Sequence, residues 1–192
     1  MPLAPTRLLV LYAVRLLQPV HGYDVRRELL SWRADEWANV APGSVYGALK
    51  TLQRDAWIEA VDTSQHGARP ARTTYRVTAE GEKEFHTMLR ETWREATGLT
   101  HPLMPAIALL PEIDRDTALA ELAARADQLQ VTARRYRQDI ERIEQGSGDP
   151  VTGVPYHVAE MLRLALLRAE AELSWTRDLA KRIETGAVAA WD

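Results

Sequence analysis

One stretch of this chain carries groups suited to gripping a polyanion. It is APGSVYGALKTL, residues 41–52, continued by Gln53 and Arg54. Gly43, Tyr46, Gly47, Lys50 and Arg54 recur at spacings of three and four, so a helix puts them on one face, with Ser44 and Thr51 beside it. A face that needed only solubility would use Glu, Lys or Gln, which form helices far better than glycine. Two glycines there fit the close approach of something large. Backbone N–H groups at Gly43 and Ser44, at the head of the helix, can take up a phosphate without a charged side chain. A second group follows at His66, Arg69 and Arg72, set among Gly67 and Pro70. From Ser64 to Ala79 there are three arginines and no acid. These residue types serve contact with phosphates and base edges rather than bond-making.

Patterns for catalysis or metal binding are missing. The five histidines (His21, His66, His86, His101 and His157) are scattered, and none forms HExxH or a close pair with carboxylates. The stretch GSGDPVTG lacks the GK[ST] ending of a phosphate-binding loop. Ser44 has no His or Asp at a recognisable motif spacing. The expectation is a protein that is not an enzyme, with no metal and no cofactor. The chain has no cysteine, which suits a reducing compartment. Leu8 to Val14 is an apolar run behind Arg7, but Arg15 interrupts it and no small-residue cleavage site follows. No apolar stretch nears the roughly 20 residues of a membrane span. A cytoplasmic location is expected.

Net charge is −3 over 192 residues, a weak argument against nucleic acid. The distribution matters more. Residues 1–100 hold 13 basic and 12 acidic side chains, and the remainder hold 11 and 15. A locally basic segment on a near-neutral domain still meets phosphates.

The elements that must position these groups follow from periodicity. Residues 6–17 read as a buried helix capped by Thr6 and stopped by Pro19, and His21 to Trp32 as a second helix. Asp35 to Val40 reads as a loop, and Gly43 to Asp55 as a third helix whose inner face is Val45, Leu49 and Leu52. WIEAVDT (57–63) and RTTYRVT (72–78) alternate apolar and polar residues as half-buried strands do, around a loop over 64–71. Thr78 then caps a fourth helix with the apolar stripe Phe85, Met88, Leu89 and Trp93. Three helices, strand, loop, strand and helix make a winged helix-turn-helix over residues 1–97. Its third helix enters the major groove by its N-terminal end, and its wing reaches the minor groove or flanking phosphates.

Residues 98–113 form a connector with three prolines and one short apolar helix. Residues 114–192 form a helical hairpin. Leu119, Leu122, Ala126, Leu129, Ala133, Tyr136, Ile140 and Ile143 repeat at alternating three and four, and Ala159, Leu162, Leu166, Ala169, Leu173, Thr176, Ala180 and Ile183 do so after the turn at 146–155. One hairpin cannot bury both its faces, so a second copy is the expected cover, with Leu122, Leu129, Ile140, Leu162, Leu166 and Leu173 as dimerisation residues. Trp93, at the end of the fourth helix, is the best candidate to stack a flat effector, ahead of Met104, Tyr136 and Met161. The fold class is mainly α with a small β component.

The segments HGYDVRREL, PGSVYGALKTLQRDAWIEA and YRVTAEGEKEF closely resemble the signature segments of the PadR-like transcriptional regulators, in order and spacing. The resemblance covers about residues 5–95. It implies a winged-helix DNA-binding domain, a dimer, and a repressor of transcription often relieved by a small molecule. By resemblance Tyr46 and Lys50 hold recognition-helix positions, and His21, Gly22 and Tyr23 hold the second-helix motif. The long C-terminal half is similar only in pattern to the larger-domain branch of that family. The expected partners are a pseudo-palindromic duplex, a second copy of the chain and a small aromatic or apolar effector. Two other readings stay open, a protein-interaction adaptor on the same scaffold without specific DNA binding and an enzyme with an unfamiliar site.

Overall fold

The computed structural model describes residues 5–41, 43–64, 72–95, 101–146 and 154–188. The chain divides into two compact units, Met1–Gly98 and Leu99–Asp192.

The first unit is built around α1 (Pro5–Leu17), whose Val10, Leu11, Ala13 and Val14 are fully buried. Around it pack α2 (Gly22–Ser31), α3 (Ala34–Trp37), α4 (Ser44–Arg54) and α5 (Ala79–Arg94). A three-stranded antiparallel sheet has the order β1 (Val20–His21), β3 (Arg72–Val77), β2 (Ile58–Ser64). Val20 pairs with Tyr75, and Ile58 with Val77; a bulge between Ala60 and Asp62 leaves Val61 as the extra residue on the edge strand. This is a winged helix, mainly helical with a small sheet.

Two contacts lock the hairpin to α5. The Thr78 hydroxyl accepts from the Gly81 amide at 3.0 Å and donates to the Ala56 carbonyl at 2.7 Å, so one side chain caps α5 and holds the entry to β2. Gly81 has no room for a side chain: a Cβ there would lie 2.0 Å from the Trp57 carbonyl oxygen.

Local details differ from the periodicity. Thr6 is not a cap, because the helix already runs from Pro5, and proline is favoured in the first turn. Residues 35–40 are not all loop, since Ala34–Trp37 forms a helical turn. It is held by the Val40 amide on the Ala34 carbonyl (3.2 Å) and the Trp37 indole N–H on the Trp32 carbonyl (2.8 Å). The second helix starts at Gly22, because His21 is drawn into the sheet opposite Thr74.

The second unit contains α6 (Met104–Ala108), a 3₁₀ turn (Leu110–Glu112), α7 (Arg115–Gly146) and α8 (Tyr156–Glu184). The long helices run antiparallel. Arg115 at the start of α7 reaches the Ile183 and Glu184 carbonyls (3.4 and 3.2 Å), and Glu144 near its end pairs with Arg163. Asp114 caps α7, accepting from the Thr117 amide at 2.9 Å. Ala133, Ile140, Ala159, Ala169, Thr176 and Ile183 of the two seams are buried and the other seam positions half-buried. Glu172 takes the Arg125 guanidinium and lies 3.1 Å from His101 Nε2. The Leu103 amide donates to His101 Nδ1 at 3.1 Å, which puts the ring proton on Nε2. No helix among the described residues is long and apolar enough to cross a membrane.

Candidate nucleic-acid interface

Helix α4 is amphipathic, and its inner face is set by packing. Val45, Ala48, Leu49 and Leu52 are buried. Burying a side chain such as Leu49 is worth about 1.5–3 kcal/mol, which fixes which way the opposite face points. Gly43, Ser44, Tyr46, Gly47, Lys50 and Arg54 are all exposed on that side. A Cβ at Gly43 or Gly47 would meet nothing within 4 Å, so no neighbour among the described residues demands a glycine at either place. The open space above them is room for a partner's approach.

The start of α2 completes this surface. A Cβ at Gly22 would sit 3.0 Å from Leu49 Cδ1 and 3.5 Å from Tyr46 Cε1. The missing side chain therefore lets the HGY motif close on α4 and supports the Tyr46 ring, which stays 45% exposed. Tyr23, the next residue, is exposed, with the Arg27 guanidinium 6.0 Å from its ring centroid.

Three groups are more constrained than their residue types imply. The Ser44 amide already donates to the Ala41 carbonyl at 2.9 Å, and its hydroxyl donates to the same oxygen at 2.6 Å. This corrects the expectation of a free amide there. The Thr51 hydroxyl donates back to the Gly47 carbonyl at 3.0 Å. Arg54 is bound to its neighbour Asp55, with Nε 3.0 Å from Oδ1. Lys50 is exposed and forms no ion pair among the described residues. His66 and Arg69 lie outside the described residues; of Arg72 the backbone is described, as the first residue of β3.

Residues 10–87 match the model of the transcriptional regulator PadR-like family. The chain's fold is similar to that of Bacillus subtilis PadR in complex with operator DNA, at 17% identity and a TM-score of 0.66, covering 95% of this chain and 99% of that one. It is also similar to the same protein in complex with p-coumaric acid (17% identity, TM-score 0.62, covering 94% and 97%). A third similar structure is a PadR-like transcriptional regulator from Bacillus cereus (14%, 0.55, covering 94% and 99%). No curated protein matches the chain.

Within the first unit Trp93 sits in the last turn of α5 and is 84% exposed, outside the core that Phe85 and Met88 of the same helix join. In the second unit Met104 and Met161 are exposed and Tyr136 half-buried, with the Arg135 guanidinium 5.5 Å from its ring centroid. Among the residues assigned to dimerisation, Ile140 is buried and Leu122, Leu129, Leu162, Leu166 and Leu173 are half-buried within one chain. Other aliphatic residues of the two long helices are more exposed: Val131, Leu164 and Leu167 are 65, 63 and 64% exposed. Two of them were legible in MLRLALLRA, where Leu164 and Leu167 lie off the seam, but a heptad reading attends only to the seam. No group of three or more metal-ligating side chains occurs among the described residues.

Proposed function

We propose that the chain is a sequence-specific, double-stranded-DNA-binding transcriptional regulator. It works in the cytoplasm as a homodimeric repressor that a small molecule relieves. The outward stripe of α4 carries this reading. It places two glycines, a tyrosine, a lysine and an arginine on the face of the winged helix that in helix-turn-helix proteins enters the major groove. Tyr46, Lys50 and Arg54 contact bases or phosphates, Gly43 and Gly47 admit the groove wall, and Tyr23, Ser44 and Thr51 flank it. His66, Arg69 and Arg72 of the wing reach the neighbouring groove or its phosphates. Support comes from the family match and from the operator complex of B. subtilis PadR, of the same fold.

A second copy covers the outward apolar residues of α7 and α8, and the half-buried seam leucines lie at its margin. The pair reads a pseudo-palindromic operator with half-sites about 10 base pairs apart or a multiple of that. The effector is a flat aromatic or apolar molecule that meets Trp93, Met104, Tyr136 or Met161. It shifts DNA affinity only by as much as it prefers one spacing of the two recognition helices. The p-coumaric acid complex of B. subtilis PadR supports this chemistry.

Selection from a random duplex library tests the reading. Enrichment of a two-fold-symmetric sequence, bound with an affinity that falls steeply with salt, is expected. Failure to enrich any sequence at any salt overturns it. Quenching of tryptophan fluorescence across a panel of aromatic acids and apolar heterocycles tests the effector.

A further inference from the structure

The outward stripe of α4 ends on an acid, an odd neighbour for a phosphate-seeking face. Arg54 is 74% exposed, yet its Nε and one terminal nitrogen both lie 3.0 Å from Asp55 Oδ1. The other oxygen of the same carboxylate accepts from Arg7 at 2.8 Å. The Arg7 guanidinium in turn lies 4.5 Å from the Trp57 ring centroid, and its Nε is buried without a partner. A brace thus runs from α1 through Asp55 to the end of α4, and only its last member faces solvent.

We infer that Asp55 is a positioning and specificity-determining residue for duplex DNA, acting through Arg54. The inference rests on the DNA-binding reading of α4. A free arginine at that place swings and pairs with any phosphate, which adds affinity for every sequence alike. Held at two of its donors by a carboxylate whose other oxygen is tied to Arg7, the guanidinium presents its remaining N–H groups in one direction. It bonds well only where the duplex offers an acceptor there. The acid also offsets one positive charge, so the attraction to unrelated duplex falls. The Asp55 carboxylate therefore sharpens discrimination at the expense of gross affinity.

Asp55→Asn tests this, with the duplex enriched by library selection compared against a scrambled duplex over a salt series. The scrambled duplex should bind about 3–10-fold more tightly, with its log affinity against log salt steepening by up to about 1. The enriched duplex should gain less, so the ratio of the two falls at least about threefold. In an Arg54→Gln background the same substitution should leave the ratio where Arg54→Gln alone put it. Arg7→Met breaks the brace away from the DNA face. It should lower the melting temperature without steepening the salt slope.

An unchanged ratio and slope in Asp55→Asn, with a wild type that discriminates, would overturn the inference alone. So would an equal shift in the Arg54→Gln background, which makes Asp55 a bare charge, or an equal steepening in Arg7→Met, which makes it a matter of folding. A wild type that binds the two duplexes equally would overturn the DNA reading as well.

Discussion

The two units bury their apolar residues in different ways, one around bulky side chains and the other along seams of mostly small ones. The first unit closes around a contiguous core in which Leu11, Leu49, Leu52, Ile58 and Met88 are almost wholly hidden. The second has two long helices whose buried apolar residues are mostly small: Ala118, Ala133, Ala159 and Ala169 beside Ile140, Leu179 and Ile183. Alanine in a seam lets helices approach but removes little apolar area from water. Meanwhile Val131, Leu164 and Leu167 stand outside. In the first unit the outward face of α4 instead carries glycine, polar and aromatic residues, namely Gly43, Ser44, Tyr46, Gly47, Lys50 and Arg54. On the proposed reading, the α4 face serves recognition of a polar ligand and the outward apolar residues of α7 and α8 serve association.

The contrast can be broken most violently at Gly81. Gly81→Ala drives a methyl into the Trp57 carbonyl, a backbone group that cannot rotate away. The cost should exceed about 3 kcal/mol and unfold the first unit, read as lost cooperative melting. A near-native melt would show that the approach of α5 to β2 is looser than described.

Leu164→Ser with Leu167→Ser probes the other region. If a second copy covers α8, the double variant should shift sedimentation from dimer to monomer while its helical circular dichroism is kept. If α8 faces water, stability should change by less than about 0.5 kcal/mol per site and the sedimentation not at all.

A smaller effect is expected at Ala56, which follows α4 with φ of 59°. An L side chain there is strained by about 1–2 kcal/mol. Ala56→Gly should recover part of that, offset by glycine's greater chain entropy, for a net gain of about 0.5–1 kcal/mol in the first unit. A loss would mean that the turn is stabilised by the methyl.

The smallest effect concerns the caps. The Thr78 cap of α5 carries no ionisable group, whereas the Asp114 cap of α7 is a carboxylate that titrates in acid. Hydrogen bonds from the Thr117 side chain and then its backbone hold the Asp114 carboxyl below the ordinary carboxylate value. Its contribution is present above the unfolded-state value and is lost as pH falls through the lowered folded one. Acidification should fray the start of α7, and Asp114→Asn should flatten that dependence, as amide exchange at residues 115–118 would report.

The long periodic elements were legible because their signals are local. The inner face of α4, the stripe of α5, the two hairpin seams and the cap at Thr78 all follow from side chains three or four apart. The elements that escaped are too short to show a period. β1 has two residues, too few to alternate, and exists because Tyr75 and Thr74 pair with it. α3 has four residues and is held by the carbonyls of Trp32 and Ala34. In the candidate site, residue types showed what α4 offers but not what is already committed. The Ser44 amide and the Asp55 bond to Arg54 are visible only in three dimensions. The wing residues His66 and Arg69 rest on the sequence alone.

The groove-facing role of α4 is tested most directly by Lys50→Ala. The variant is compared with wild type on the enriched and scrambled duplexes at one salt concentration. Enriched-duplex affinity should fall by about 1–3 kcal/mol, roughly 10- to 150-fold, with melting temperature unchanged. Unaltered affinity for the enriched duplex in a folded variant would contradict a groove-facing α4.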